Sequence, residues 1–274
     1  MRRKKYLNNK DLLKEIHKSK NSYNSYIDEA NDHQFDIILP GLDRVNIRTT
    51  AQAKRNRADR LAKQAYEDAI EQGQKVKQAE FAIDWKKINK QDLVFRIMTF
   101  DHVPLQPGRK KNPKTVADHH TQVNFKPFQH YRYNDKDELV CVGKSHWVGG
   151  MENGYFSKDH GDMTRNLAMM FMKLVERYGT RSNWRGYTYN DEMQSAALLQ
   201  LCQIGLQFDE SKSQNPFAYY TATITNSFTR ILNLEKKGQN IRDDILEQNG
   251  LMPSYTRQFA NEDAKKLQPE ADKK

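Results

Sequence analysis

Residues 216–237 hold the side chains with the most chemistry to offer. Tyr219, Thr223, Asn226, Arg230, Asn233 and Lys237 recur at intervals of 4, 3, 4, 3 and 4, so a helix would place them on one face. That face joins an aromatic ring, small hydrogen-bonding groups and two cations. Such a set can stack a base, touch its edge and hold phosphates. Phe217, Tyr220, Ile224, Phe228 and Ile231 recur opposite, at 3, 4, 4 and 3, which predicts a core stripe. Ordinary surface helices also carry Thr, Asn and Lys. The exposed ring expected at Tyr219 is the least ordinary member of the face.

No catalytic constellation emerges. The middle of the chain holds His119, His120, His130, Cys141, His146 and His160, ligand types that would suit structural zinc or a metal-dependent nuclease. Their spacing fits no metal-binding template. Gly143-Lys144-Ser145 lacks the earlier glycine, separated by four intervening residues, that a phosphate-cradling loop requires. Asp243 and Asp244 are neighbours, and adjacent helical residues do not face one another, so they read as charged surface. Cys141 and Cys202 read as core or partly buried small apolar side chains, too few for a disulfide framework or a thiolate zinc site. The sequence assigns no catalytic residue, no metal and no cofactor.

The elements that must position residues 216–237 are largely helical. HGDMTRNLAMMFMKLVERYG predicts a helix with Met163, Leu167, Met170, Leu174 and Arg177/Tyr178 along one stripe, ended by Gly179. A second helix is expected from Thr188, with Asp191 three residues on, through Met193, Ala196, Ala197, Leu201 and Ile204 to Gly205. Asn215-Pro216 opens a third, with Asn as cap and Pro at its first position, running to about Leu234. A short fourth covers 240–248, and a disordered tail is expected over 251–274. Upstream, 1–90 reads as a basic segment with helices around Leu12, Leu13 and Ile16 and from Thr50 to Glu80. FDIILPGLDRVNIRTT is expected to carry two short strands. Residues 91–160 read as a small β-rich module: DLVFRIMTF as one strand, then VNFKPFQHYRYN and ELVCVGKSHW joined by a turn at Asn134–Asp137. The fold class is α+β, with a helical domain over 161–250.

Composition narrows the function classes. The chain has 274 residues, 37% hydrophobic and 29% charged, with a formal net charge of +10. No stretch is apolar over the 18 residues a membrane span needs, and the basic N-terminus lacks the apolar region of a signal peptide, so a cytoplasmic protein is expected. Residues 1–160 hold 30 basic and 21 acidic residues, whereas 161–274 hold 15 and 14. The first half therefore carries +9 of the charge, including the cluster Lys54, Arg55, Arg57 and Arg60. Such a balance suits a polyanion-facing surface.

The run IGLQFDESKSQNPFAYYTATITNSFTRILNLEKK resembles region 2 of bacterial sigma factors. In that family a helix ends in a Gly-Leu stretch, Phe-Asp closes it, and a short polar connection leads to an aromatic-rich helix with a later Arg. Phe208-Asp209 match the closure, Phe217-Ala218-Tyr219-Tyr220 the helix start, and Arg230 the basic position. The late-transcription sigma factors of T-even-type bacteriophages are similar also in NWRGYTYNDEM, SQNPFAYYT and EKKGQNIRDDIL. The resemblance covers about 160–250, roughly a third of the chain.

It implies a protein that binds host core RNA polymerase in the infected bacterial cytoplasm, directs it to minus-ten-like late promoters and helps melt them. Catalysis would belong to the polymerase. Asp191, Glu192, Gln194, Ser195 and Gln203 would meet the clamp helices of the largest subunit. Tyr219, Tyr220, Thr223 and Asn226 would take non-template bases, with Arg230, Lys236 and Lys237 on phosphates. Primary sigma factors have a Trp pair where this chain has Thr223-Ile224, so melting would be weaker here or fall to residues such as Trp184, Tyr187 and Tyr189. The 24 residues after Gly250 are too few for a domain that reads the minus-thirty-five element, which implies a phage coactivator or a sliding clamp as helper. The tail KKLQPEADKK lacks the apolar signature of clamp binding, leaving SYTRQF for that contact. Two rival readings are an accessory DNA- or RNA-binding protein without sigma activity and a metal-dependent nuclease.

Overall fold

The computed structural model describes residues 7–28, 33–74, 76–110 and 123–267. About 51% of the chain is helical and 12% is strand, a mixed α+β protein. It divides into two compact units, 1–171 with 202–219, and 172–201 with 220–274. In order, the elements are α1 (Asn9–Asn21), β1 (Asn24–Tyr26), β2 (Ile37–Leu39), α2 (Ile47–Glu71), β3 (Val94–Met98), β4 (Phe128–Tyr133), β5 (Leu139–Ser145), β6 (Trp147–Val148), β7 (Tyr155–Phe156), α3 (Arg165–Gly179), α4 (Asn190–Ile204), α5 (Pro216–Gln248) and α6 (Tyr255–Leu267). No helix among the described residues is long and apolar enough to cross a membrane.

The first unit is built on a five-stranded sheet of order β1-β5-β4-β3-β2, antiparallel except for the parallel β2–β3 pair. The strands expected as a separate 91–160 module are thus the middle of a sheet whose outer strands come from earlier in the chain. FDIILPGLDRVNIRTT gives one strand, not two; a 3-10 turn at Leu42–Arg44 follows it and leads into α2. The β4–β5 turn falls at Asn134–Asp137 as expected. The Asn134 side chain accepts from the Lys136 and Glu138 amides, and Asp137 takes a left-handed φ of 62°.

Every residue of β3 is buried. Phe95 and Ile97 meet Ala53 and Ala58 of α2, together with Leu39, Ile88 and Leu93, in one apolar cluster. Arg96 points the other way, because successive strand side chains alternate. Its guanidinium lies 3.8 Å from the centres of both the Phe35 and Phe128 rings, and its Nε donates to His130 Nε2 at 3.0 Å. Burial lowers its pKa to about 10, which leaves it protonated at neutral pH. Beside it on α1, Lys20 donates to both Glu210 carboxylate oxygens, at 2.8 and 2.7 Å, and to the Phe208 carbonyl at 2.9 Å. Burial opposes the Glu210 charge, yet Lys20, His17 and Arg96 together hold its pKa below the usual carboxylate value. Lys20 is pushed down by burial against the pull of Glu210.

The second unit packs around aromatic rings instead. Trp184 and Phe228 meet edge to face with ring centres 5.3 Å apart, as do Tyr178 and Phe228. The Tyr178 hydroxyl sits 2.5 Å from Thr225 Oγ1. The tail expected to be disordered over 251–274 forms α6 through Leu267. Asp243, expected as surface charge, is buried and accepts from the Ser254 amide and hydroxyl, each at 2.7 Å. Asp244 pairs with Arg257 at 2.7 Å.

Candidate functional site

Helix α5 starts at Pro216, and the Asn215 side chain accepts from the Ala218 amide at 3.1 Å. It runs unbroken to Gln248, so the expected third and fourth helices are one. Gly238 costs a mid-helix position about 1 kcal/mol without ending it. The helix stops where Gly250 takes φ 68° and the Leu251 amide bonds the Leu246 carbonyl at 2.8 Å. Its core stripe is Tyr220, Ile224 and Phe228, all fully or nearly fully buried. Ile231 is half-buried, and Phe217, in the first turn, is 39% exposed.

The face at 219–237 is only partly a surface. Tyr219, expected to be exposed, is half-buried; its ring lies 5.7 Å from that of Phe208 and its hydroxyl 3.4 Å from the Ile204 carbonyl. Burial raises its pKa. Tyr220 has no exposed surface and Thr223 is buried, so neither can reach a base while the helix keeps this packing. Asn226, Arg230, Asn233, Lys236 and Lys237 are exposed. What remains for a ligand is a strip of two amides and three cations, without a free ring.

Helix α4 begins at Asn190, two residues later than expected, because the Asn190 amide closes the preceding loop. It donates to the Gly179 and Trp184 carbonyls at 3.1 and 2.8 Å. Gln194 in turn donates to Asn190 at 2.5 Å, which makes it a brace of that loop and only partly exposed. Asp191, Glu192, Ser195 and Gln203 are exposed. Sequence reasoning missed Leu199, 61% exposed on the same helix. The signal was present: Glu192, Ser195 and Leu199 are spaced 3 and 4 apart, off the buried stripe of Met193, Ala197 and Leu201. Just past α4, Gly205 is fixed by close approach, since a Cβ there would lie 2.6 Å from the Phe171 ring.

Of the residues considered for melting, Trp184 is buried in the aromatic interior, whereas Tyr187 and Tyr189 are half-exposed with rings 5.3 Å apart. Among the described residues no three His, Cys, Asp or Glu side chains are placed to hold a metal ion. His130 accepts from Arg96, and His160 lies 5.8 Å from the Tyr23 ring. His119 and His120 lie outside the described residues. Cys141 is partly buried, whereas Cys202, also expected to be core or partly buried, is exposed. The chain matches no family model, no curated protein and no solved structure.

Proposed function

We propose that the protein is a late-type sigma factor, a non-catalytic specificity subunit that binds a bacterial core RNA polymerase and brings it to promoter DNA. The observation that carries this reading is the pairing of two different surfaces. Acidic and polar Asp191, Glu192 and Ser195, with apolar Leu199, lie along α4; cationic Arg230, Lys236 and Lys237 lie along α5. Both helices fall in the segment that resembles sigma region 2. The α4 surface suits a protein partner with positive charge, and the α5 surface suits phosphates. Burial of Tyr220 and Thr223 favours backbone contact over base capture for this helix.

The test is co-elution of the full chain with bacterial core polymerase in size-exclusion chromatography, followed by binding to minus-ten-like promoter DNA. Changing Asp191, Glu192 and Ser195 together to Ala should weaken polymerase association about tenfold. Changing Arg230, Lys236 and Lys237 to Ala should leave that association intact. It should also lower the slope of log affinity against log salt by nearly three in DNA binding. DNA binding without any polymerase association would replace this reading with an accessory nucleic-acid-binding protein.

A further inference from the structure

The basic cluster of α2 divides by role. Arg57 and Arg60 are structural: they reach the buried Asp36 carboxylate at 3.4 and 2.7 Å, and Asp36 also accepts from the Val94 amide at 2.9 Å. Lys54 and Arg55 are not used in this way. Lys54 lines a cleft of about 630 Å³ whose walls include Ile47, Ala51, Trp85, Lys90 and Tyr133, and most of that lining is apolar. Ile47 is 91% exposed at its mouth. The Arg55 guanidinium lies 4.9 Å from the Trp85 ring centre and the Lys90 ammonium 3.9 Å from that of Tyr133.

We infer that this cleft docks an acidic peptide segment of a partner protein, with one aliphatic or aromatic side chain as its anchor and carboxylates on the surrounding cations. Three observations fix that chemistry. First, the walls offer the Trp85 and Tyr133 rings, the Ala51 methyl group and aliphatic stems beside Asn46 and Thr50, and most of that lining is apolar, which suits an apolar side chain. Secondly, both rings pack against the core cluster of α2 and the sheet, and both carry a cation over a face, so neither is a bare stacking platform. Thirdly, the charge around the cleft is positive. Lys54, Arg55, Lys86 and Lys90 face two acids: Asp137, 3.2 Å from Lys90, and Asp84, whose side chain caps the Lys86 amide at 3.0 Å. Helix α2 also opens at the cleft with no acidic residue in its first turn, whereas α1 carries Asp11 there. The positive end of the α2 dipole therefore adds to the field.

This inference does not depend on the polymerase reading, since none of its residues lies on α4 or α5. The test pans a random 12-residue peptide display library against the full chain and measures the selected peptides by fluorescence polarisation. Ile47→Ser, at an exposed position, and Lys54→Glu, at a half-buried one, serve as variants, with circular dichroism as the check of fold. Selected peptides should be rich in Asp and Glu around one Leu, Phe or Trp, and should lose at least about tenfold in affinity for each variant. Three results would overturn the inference. One is a selected set without that acid-and-anchor pattern. Another is binding unchanged in both variants. The third is a labelled twelve-residue oligothymidylate that binds the chain and weakens in the same variants, which would assign the cleft to nucleic acid.

Discussion

The two units hold their interiors together by different means. The first buries charge: Lys20, Glu210 and Arg96 lie among Phe35, Phe125 and Phe128, and each charge is matched by a counter-charge, a ring face or a carbonyl. The second buries rings: Tyr178, Trp184 and Phe228, with one hydroxyl pair between Tyr178 and Thr225. Apolar packing tolerates small errors of geometry, whereas a buried charge without its partner keeps the full cost of leaving water. The first interior should therefore fail by single substitutions that the right second substitution repairs. The second should fail in proportion to the volume removed.

The largest expected effect tests that contrast directly. Lys20→Met strands the Glu210 carboxylate and should cost the first unit about 3–5 kcal/mol, towards the lower end because Arg96 stays near. Adding Glu210→Leu should return most of the loss, since apolar replacement of both partners of a buried ion pair is often nearly neutral. Phe228→Ala should cost the second unit a similar 3–5 kcal/mol through the cavity it leaves. Urea titration followed by tryptophan emission separates the two: Trp85 and Trp147 belong to the first unit and Trp184 to the second. A double variant no more stable than Lys20→Met would break the contrast.

Acid sharpens it further. All eight histidines lie within 1–171, so none belongs to the second unit. His146 is fully buried; burial first, then the neighbouring His102, His160 and Lys20, lowers its pKa to about 3. Burial takes His102 to about 4 against the pull of the Ser145 carbonyl it contacts at 2.8 Å. Below pH about 6.5 the unfolded chain binds protons that the folded chain refuses. Their contribution to stability is thus complete above that pH and is lost as pH falls towards 4 and then 3. Each residue should remove about 1.4 kcal/mol per pH unit in that window. Urea midpoints measured from pH 7 to pH 5 should fall for the first unit and stay level for the second. A parallel fall in Trp184 emission midpoints would sink the assignment to these histidines.

What was legible in the sequence was what local pattern fixes. The Asn215-Pro216 start, the Gly179 stop, the Asn134–Asp137 turn and the stripe through Tyr220, Ile224 and Phe228 depend on neighbours within one or two turns of chain. The surface positions of Asn226, Arg230, Asn233 and Lys237 followed from the same periodicity, whereas Asp191, Glu192, Ser195, Gln203 and Lys236, also exposed, came from the family resemblance. Tyr219, Thr223 and Gln194 did not, because their burial is set by groups that spacing along one helix does not reveal. Phe208 and the Ile204 carbonyl take Tyr219, and Asn190, held by the Gly179–Trp184 loop, takes Gln194. The Lys20–Glu210 pair joins residues 190 positions apart, and the Asp243–Ser254 contact turned an expected loose tail into α6. Neither leaves a periodic trace.

The smallest expected effect asks whether the second interior hides a polar dependence of its own. Tyr178→Phe removes the hydroxyl that meets Thr225 and leaves the ring in place against Trp184 and Phe228. The Thr225 hydroxyl still donates to the Thr221 carbonyl at 2.8 Å, so no buried donor is orphaned. The loss should be about 0.5–1 kcal/mol, that of a neutral hydrogen bond whose partner keeps another. Urea unfolding read through Trp184 resolves a change of that size. A loss above about 2 kcal/mol would mean that the ring cluster is registered by its one polar contact, and the second unit would then resemble the first in kind, differing only in how many such contacts it holds.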